Sequence, residues 1–127
     1  MNEEEWREKL GEEAFRVMRE SGTERPFSSE LNDHFEPGIY RCKGCGEPLY
    51  ESDAKFDGHC GWPSFDAPIA PDAVTEHRDL SHGMIRVEMR CARCGSHLGH
   101  VFPDGPTATG MRHCVNGICL TFDAQGR

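Results

Sequence analysis

Two short stretches constrain this chain more than anything else in it: Cys42-Lys43-Gly44-Cys45-Gly46 and Cys91-Ala92-Arg93-Cys94-Gly95. A C-x-x-C turn aims two sulfurs at one point, and the glycine after it lets the backbone turn its amides toward them. Two such turns make a tetrahedral four-thiolate site, the usual arrangement of a structural zinc ion. Four protein ligands leave no open coordination position, so the ion is expected to act as a staple and not as a reactant. Iron in the same cage is the chemical alternative. Residues 46–90 lie between the knuckles and must fold so that their two ends meet.

A staple matters here because the apolar content is low. Leu, Ile, Val and Phe supply 22 of 127 residues, and the net charge is −8. That balance on its own leans toward disorder. A small domain with a thin core commonly needs a metal or disulfides. The length favours one domain, 1–127. The charge is uneven: residues 1–36 carry 11 acidic and 5 basic side chains, and residues 37–127 carry 11 and 9. The acidic excess reads as a solvated helical surface. No dense basic patch suggests nucleic-acid binding, and no apolar run approaches the roughly 18 residues of a membrane span. The acidic start Met1-Asn2-Glu3-Glu4-Glu5 carries no basic or apolar leader pattern. We therefore expect a cytoplasmic protein, whose cysteines bind metal or do redox chemistry more often than they form structural disulfides.

The chain divides in texture near Pro26. Before it, residues 1–22 read as a helical segment. Asn2 and Glu5 have capping-box spacing, and Trp6, Leu10, Ala14, Val17 and Met18 form one apolar stripe. Gly11 is expected to split the stretch into two helices, and Gly22 to cap the second. After it, residues 38–122 read as a β core, with strands at 38–42, 48–51, 84–90, 98–102 and 112–122. Ile85, Val87 and Met89 alternate with Arg86, Glu88 and Arg90, the pattern of a half-buried antiparallel strand. The expected fold is mainly β: two antiparallel sheets in a sandwich or barrel-like arrangement, with short N-terminal helices and a structural zinc site.

Three cysteines remain. Cys60 lies in the turn-rich loop Gly58-His59-Cys60-Gly61-Trp62-Pro63, where a mobile thiol can meet a partner. Cys114 lies in the strand 112–122. Uninterrupted alternation there puts Arg112, Cys114, Asn116, Ile118, Leu120 and Phe122 on one face, and His113, Val115, Gly117, Cys119 and Thr121 on the other. Arg112 on the Cys114 face would lower the pKa of that thiol, and Asn116 offers a hydrogen-bond donor. Cys119 has neither neighbour and reads as a small buried filler. His97-Leu98-Gly99-His100 supplies two candidate proton donors. His97, three residues after Cys94, is also a conceivable metal ligand.

These residues together resemble the B-type methionine sulfoxide reductases, which act on the R epimer of methionine sulfoxide. The resemblance rests on Gly22-Thr23-Glu24-Arg25-Pro26-Phe27-Ser28, Cys60-Gly61-Trp62-Pro63-Ser64-Phe65, the stretch His97 to Pro106, Arg112-His113-Cys114-Val115-Asn116 and both knuckles. It covers nearly the whole chain. It implies Cys114 as nucleophile and Cys60 as resolving cysteine. It implies His100 as the acid with His97 beside it, Asn116 in the active site and Trp62 packed on the substrate methyl group. It implies Cys42, Cys45, Cys91 and Cys94 as ligands of one Zn2+. The implied cycle passes through a Cys114 sulfenic acid and a Cys60–Cys114 disulfide. A thioredoxin-type dithiol reopens that disulfide, so the implied partners are this reductant and oxidised methionine in proteins or peptides. We expect a monomer. The family usually has Tyr where this chain has His113, and Ser-Ala-Ser where it has Gly117-Ile118-Cys119.

Two rivals compete with this reading. A zinc-ribbon-like binding module accounts for the four knuckle cysteines but not for Cys60, Cys114, Trp62, His97 and His100. A zinc-dependent nucleobase deaminase needs an H-x-E motif and an open zinc position. The one H-x-E of this chain, His34-Phe35-Glu36, is followed by no P-C-x-x-C, and four thiolates leave zinc no open position.

Overall fold

The computed structural model describes residues 2–57, 60–80 and 83–124. Gly58 and His59 of the Cys60 loop lie outside the described residues. At the N-terminus the capping box forms as its spacing predicts. Asn2 Oδ1 accepts from Glu5 N at 2.9 Å, and Glu5 Oε1 accepts from Asn2 N at 3.3 Å. This starts helix α1, Glu3–Leu10, and Gly11 at φ +82° separates it from α2, Glu12–Arg19. Trp6, Leu10, Ala14, Val17 and Met18 are all buried, and Phe15 joins them. Gly22 does not cap α2. The cap is Glu20, followed by Ser21 at φ +54°, and the Gly22 amide donates back to the Arg16 carbonyl at 3.0 Å. A Cβ on Gly22 would sit 2.9 Å from that carbonyl, so the glycine is needed for close approach.

The rest is two antiparallel sheets. The smaller has the order β2-β1-β9, from β1 Ile39–Cys42, β2 Pro48–Glu51 and β9 Leu120–Asp123. The larger has the order β3-β4-β8-β7-β6-β5. Its strands are β3 Lys55–Phe56, β4 Ser64–Phe65, β5 Val74–Asp79, β6 Arg86–Cys91, β7 His97–Phe102 and β8 Arg112–Val115. Aromatic contacts join the sheets: Tyr50 stacks on Phe65 with centroids 4.3 Å apart, and Tyr40 meets the same ring edge-on at 5.1 Å. Buried residues from Trp6 to Leu120 form one cluster.

The expected strand 112–122 is two strands in different sheets. Asn116 ends the first by engaging the backbone with its own amide: Nδ2 donates to Leu98 O at 2.9 Å and Oδ1 accepts from Glu24 N at 3.0 Å. The Glu24 carboxylate then takes the amides of Gly117 and Ile118 at 2.8 and 2.9 Å. A short 3-10 turn, Gly117–Cys119, follows and hands the chain to β9. The alternation expected across 112–122 therefore fails after Val115: Leu120 is buried and Thr121 exposed.

Candidate active site

Each knuckle is the turn of a hairpin, the first between β1 and β2 and the second between β6 and β7. The two turns are built alike. Gly46 and Gly95 take φ of +80° and +75°, and their amides donate to Cys42 O and Cys91 O at 2.8 Å each. Between them the four sulfurs converge, all within 4.8 Å of one another. Cys42 and Cys94 sulfurs are 3.7 Å apart, and Cys45 and Cys91 sulfurs 3.6 Å. Zinc–sulfur bonds of about 2.3 Å at tetrahedral angles require sulfur separations of about 3.8 Å, so the cage has the size for one such ion. His97 is not part of this cluster.

The second constellation grows from the pairing of β4, β8, β7 and β6. Ser64 pairs with Cys114, Cys114 with His100, and His100 with Glu88. Paired residues share a sheet face, so these four side chains form one row. A parallel row holds Arg112 opposite Phe102 and Asp79 opposite Arg86. The other face carries the apolar partners Met89, Val101 and Val115, all buried. Gly99 permits the close approach of β7 to β8, since a Cβ there would lie 2.0 Å from the Cys114 carbonyl oxygen.

Above this polar face is a cavity of about 190 Å3, lined by Cys60, Cys114, Trp62, His100, Arg112 and Asn116, with Thr23, Arg86, Gly99 and Phe102 completing it. The Cys60 and Cys114 sulfurs are 3.5 Å apart, and Ser64 Oγ is 3.5 Å from Cys60. Hydrogen bonding from Cys114 pulls Cys60 down to about 5 against the cost of burial, with smaller help from Ser64 and Arg112. The hydrogen bond to Cys60, burial and the Cys60 charge push the Cys114 thiol up, against Arg112. The two shifts run in opposite directions, as a thiol donating to a neighbouring sulfur requires.

The other cavity residues are held from outside. Trp62 Nε1 donates to Glu24 O at 3.0 Å. Arg112 is clamped by Asp104 through bonds of 2.9 and 3.2 Å and lies over the Phe102 ring, 4.5 Å from its centroid. His100 Nε2 donates to Asp79 Oδ2 at 2.7 Å, and Arg86 reaches the same oxygen at 3.5 Å. His97 is 3% exposed, and its Nδ1 donates to Glu88 Oε2 at 2.7 Å. Burial lowers the His97 pKa against the pull of Glu88. His97 does not line the 190 Å3 cavity. It lines a neighbouring one of about 360 Å3 that shares Thr23, Arg86 and His100 with it. Cys119 is fully buried, with Sγ donating to His97 O, so it is not beside the cavity thiols.

The sequence reading thus named six of the ten cavity residues and missed the carboxylates behind them: Glu24, Asp79, Glu88 and Asp104. Glu88 carried a signal, because it alternates onto the polar face of β6, and that face is the floor of the site. Asp79 carried none. Its strand, Val74-Thr75-Glu76-His77-Arg78-Asp79, is polar on both faces.

A SelR domain model matches residues 10–124. Among curated relatives, a protein of Agrobacterium fabrum (strain C58 / ATCC 33970) named Peptide methionine sulfoxide reductase MsrB is 57% identical over 119 residues, 94% of this chain and 88% of the relative. One of the same name from Pseudomonas fluorescens (strain Pf0-1) is 59% identical over 117 residues, 92% and 89%. One from Saccharophagus degradans is 55% identical over 125 residues, 98% and 93%. Among solved structures, the Mis18 "Yippee-like" domain superposes with a TM-score of 0.52 at 19% identity, covering 69% of this chain and 96% of that one, a likeness of fold alone.

Proposed function

This chain belongs to the SelR-domain family of B-type methionine sulfoxide reductases, and on that premise we propose how its residues carry out the reduction and on which substrate. The substrate is the R epimer of peptide-bound methionine sulfoxide. The observation that carries the proposal is the pair of free thiols 3.5 Å apart inside a cavity that also holds His100 and Trp62.

In the first step Cys114 passes its proton to Cys60, and its sulfur attacks the sulfoxide sulfur while His100 protonates the oxygen. The oxygen transfers to Cys114, which becomes a sulfenic acid, and methionine leaves reduced by two electrons. The Cys60 thiol then attacks Cys114 Sγ, and the hydroxyl leaves with the thiol proton as water. The product is a Cys60–Cys114 disulfide. A thioredoxin-type dithiol attacks it, forms a mixed disulfide, and closes its own disulfide as both enzyme thiols return. The Trp62 ring supports the substrate methyl group. Arg112, held by Asp104, favours thiolate at the pair, and Asn116 fixes the end of β8.

Cys42, Cys45, Cys91 and Cys94 fit one zinc ion, which supplies cross-linking and no reacting position. The site is complete within one chain, so we take the monomer as the working unit. Among the described residues no helix is long and apolar enough to cross a membrane. We place the enzyme in the cytoplasm, a reducing compartment that keeps such a dithiol supplied. A binding module without activity has no use for a thiol pair inside a cavity.

The test is to count methionine released per enzyme. Cys114→Ser should release none. Cys60→Ser, which also lacks the proton acceptor of the first step, should release about one equivalent more slowly and then stall with thioredoxin, because no disulfide forms. Normal recycling of Cys60→Ser by thioredoxin would refute the resolving role.

A further inference from the structure

The His100 imidazole does not stand alone. We infer that Asp79 is a positioning residue for the reaction: it holds His100 through Nε2 and so makes Nδ1 the nitrogen that delivers the proton. The inference rests on the reading of His100 as the proton donor and deepens it.

Asp79 is the last residue of β5, and His100 sits two strands away in β7. Their contact crosses β6, from which Arg86 reaches the same carboxylate. The Nε2–Oδ2 distance of 2.7 Å is that of a charge-assisted bond. A carboxylate oxygen can only accept, so Nε2 must carry a hydrogen whether the ring is neutral or charged. The proton that comes and goes is then the one on Nδ1. Among the described residues Nδ1 makes no hydrogen bond of its own, while His100 lines the thiol cavity and Asp79 does not. Asp79 therefore acts through the ring and does not touch substrate. A carboxylate behind an imidazole fixes its tautomer and stabilises the imidazolium, as the buried aspartate does in the serine-protease triad. Arg86 has its own part in this geometry. It pairs with Asp79 across the β5–β6 ladder, and both side chains are largely covered. The ion pair keeps the carboxylate pointed at His100 instead of at water.

Two measurements test this. The first needs no variant: nitrogen NMR of the intact zinc-loaded enzyme, at a pH where His100 is neutral. The inference requires the Nε2-protonated tautomer, and a dominant Nδ1-protonated ring would overturn it. The second is a double-mutant cycle with dithiothreitol as reductant and a methionine sulfoxide peptide as substrate. Asp79→Asn alone should lower kcat about ten- to a hundredfold, within the range of general acid catalysis, with KM nearly unchanged. In a His100→Gln background the same substitution should change kcat by less than about twofold. An equal loss in both backgrounds would mean that Asp79 acts on the fold or on another group, which overturns the inference. If His100→Gln alone keeps full kcat, the assignment of the acid fails, and that result is distinguishable from failure of the Asp79 link.

Discussion

At the scale of single residues, the site depends on close approach and on buried charge. Gly99 is the clearest case of the first. Any side chain there meets the Cys114 carbonyl oxygen, so the β7–β8 ladder must open. Gly99→Ala should cost at least 1–3 kcal/mol, roughly the range for overpacking, and should lower activity with it; urea unfolding checks the first and turnover the second. His113 illustrates the second. It is 5% exposed, lies 3.0 Å from the Tyr50 hydroxyl, and burial lowers its pKa against the charge of Asp66. His97 is shifted the same way by burial. The unfolded state then binds more protons than the folded state on acidification. Their contribution is complete above the unfolded value of about 6.5 and falls away as pH drops below it. Urea midpoints should therefore decline below about pH 6.5, and His113→Tyr, which matches the residue usual in the family, should flatten part of that decline. An unchanged slope would contradict the account of His113.

At the scale of elements, the metal cage joins two hairpins that pair with different sheets. β1–β2 belongs to the small sheet and β6–β7 to the large one, and β7 carries His100. Removing the ion should let the hairpins part and disturb the His100 strand, although none of the four cage cysteines lines the cavity. Cys91→Ser, or treatment with a strong chelator, should lower Tm by well over ten degrees and abolish turnover; calorimetry with zinc analysis checks this. Metal binding contributes roughly 10–16 kcal/mol in small zinc peptides. The knuckles were legible in the sequence because a C-x-x-C-G turn is local: five residues settle its geometry. The helices were legible for the same reason, through the Asn2 cap and the Gly11 break. β3, β4 and β5 were not. The first two are two residues long, and β5 has no apolar alternation to reveal it. The break after Val115 was hidden because it is imposed by Glu24, 93 positions from Gly117. The cavity thiols and His100 were legible by residue type and motif. Their supporting carboxylates depend on strand register, which no local pattern encodes.

At the scale of the whole molecule, a chain with 22 strong apolar residues and a net charge of −8 still buries one continuous cluster. Exposed ion pairs such as Arg7 with Glu3 and Glu12 contribute little. The two sheets bury their aromatic residues against each other, α2 packs on β7, and the four knuckle cysteines are placed to hold a metal staple that would offset a thin core. One polar sheet face is left as the floor of a cavity, and the chemistry sits there. The central claim is that this cavity reduces one epimer of methionine sulfoxide with its own thiols. The direct measurement is dithiothreitol-driven reduction of separated R and S epimers of a methionine sulfoxide peptide by the zinc-loaded protein. The account predicts conversion of R and none of S; conversion of S alone, or of neither, would contradict it.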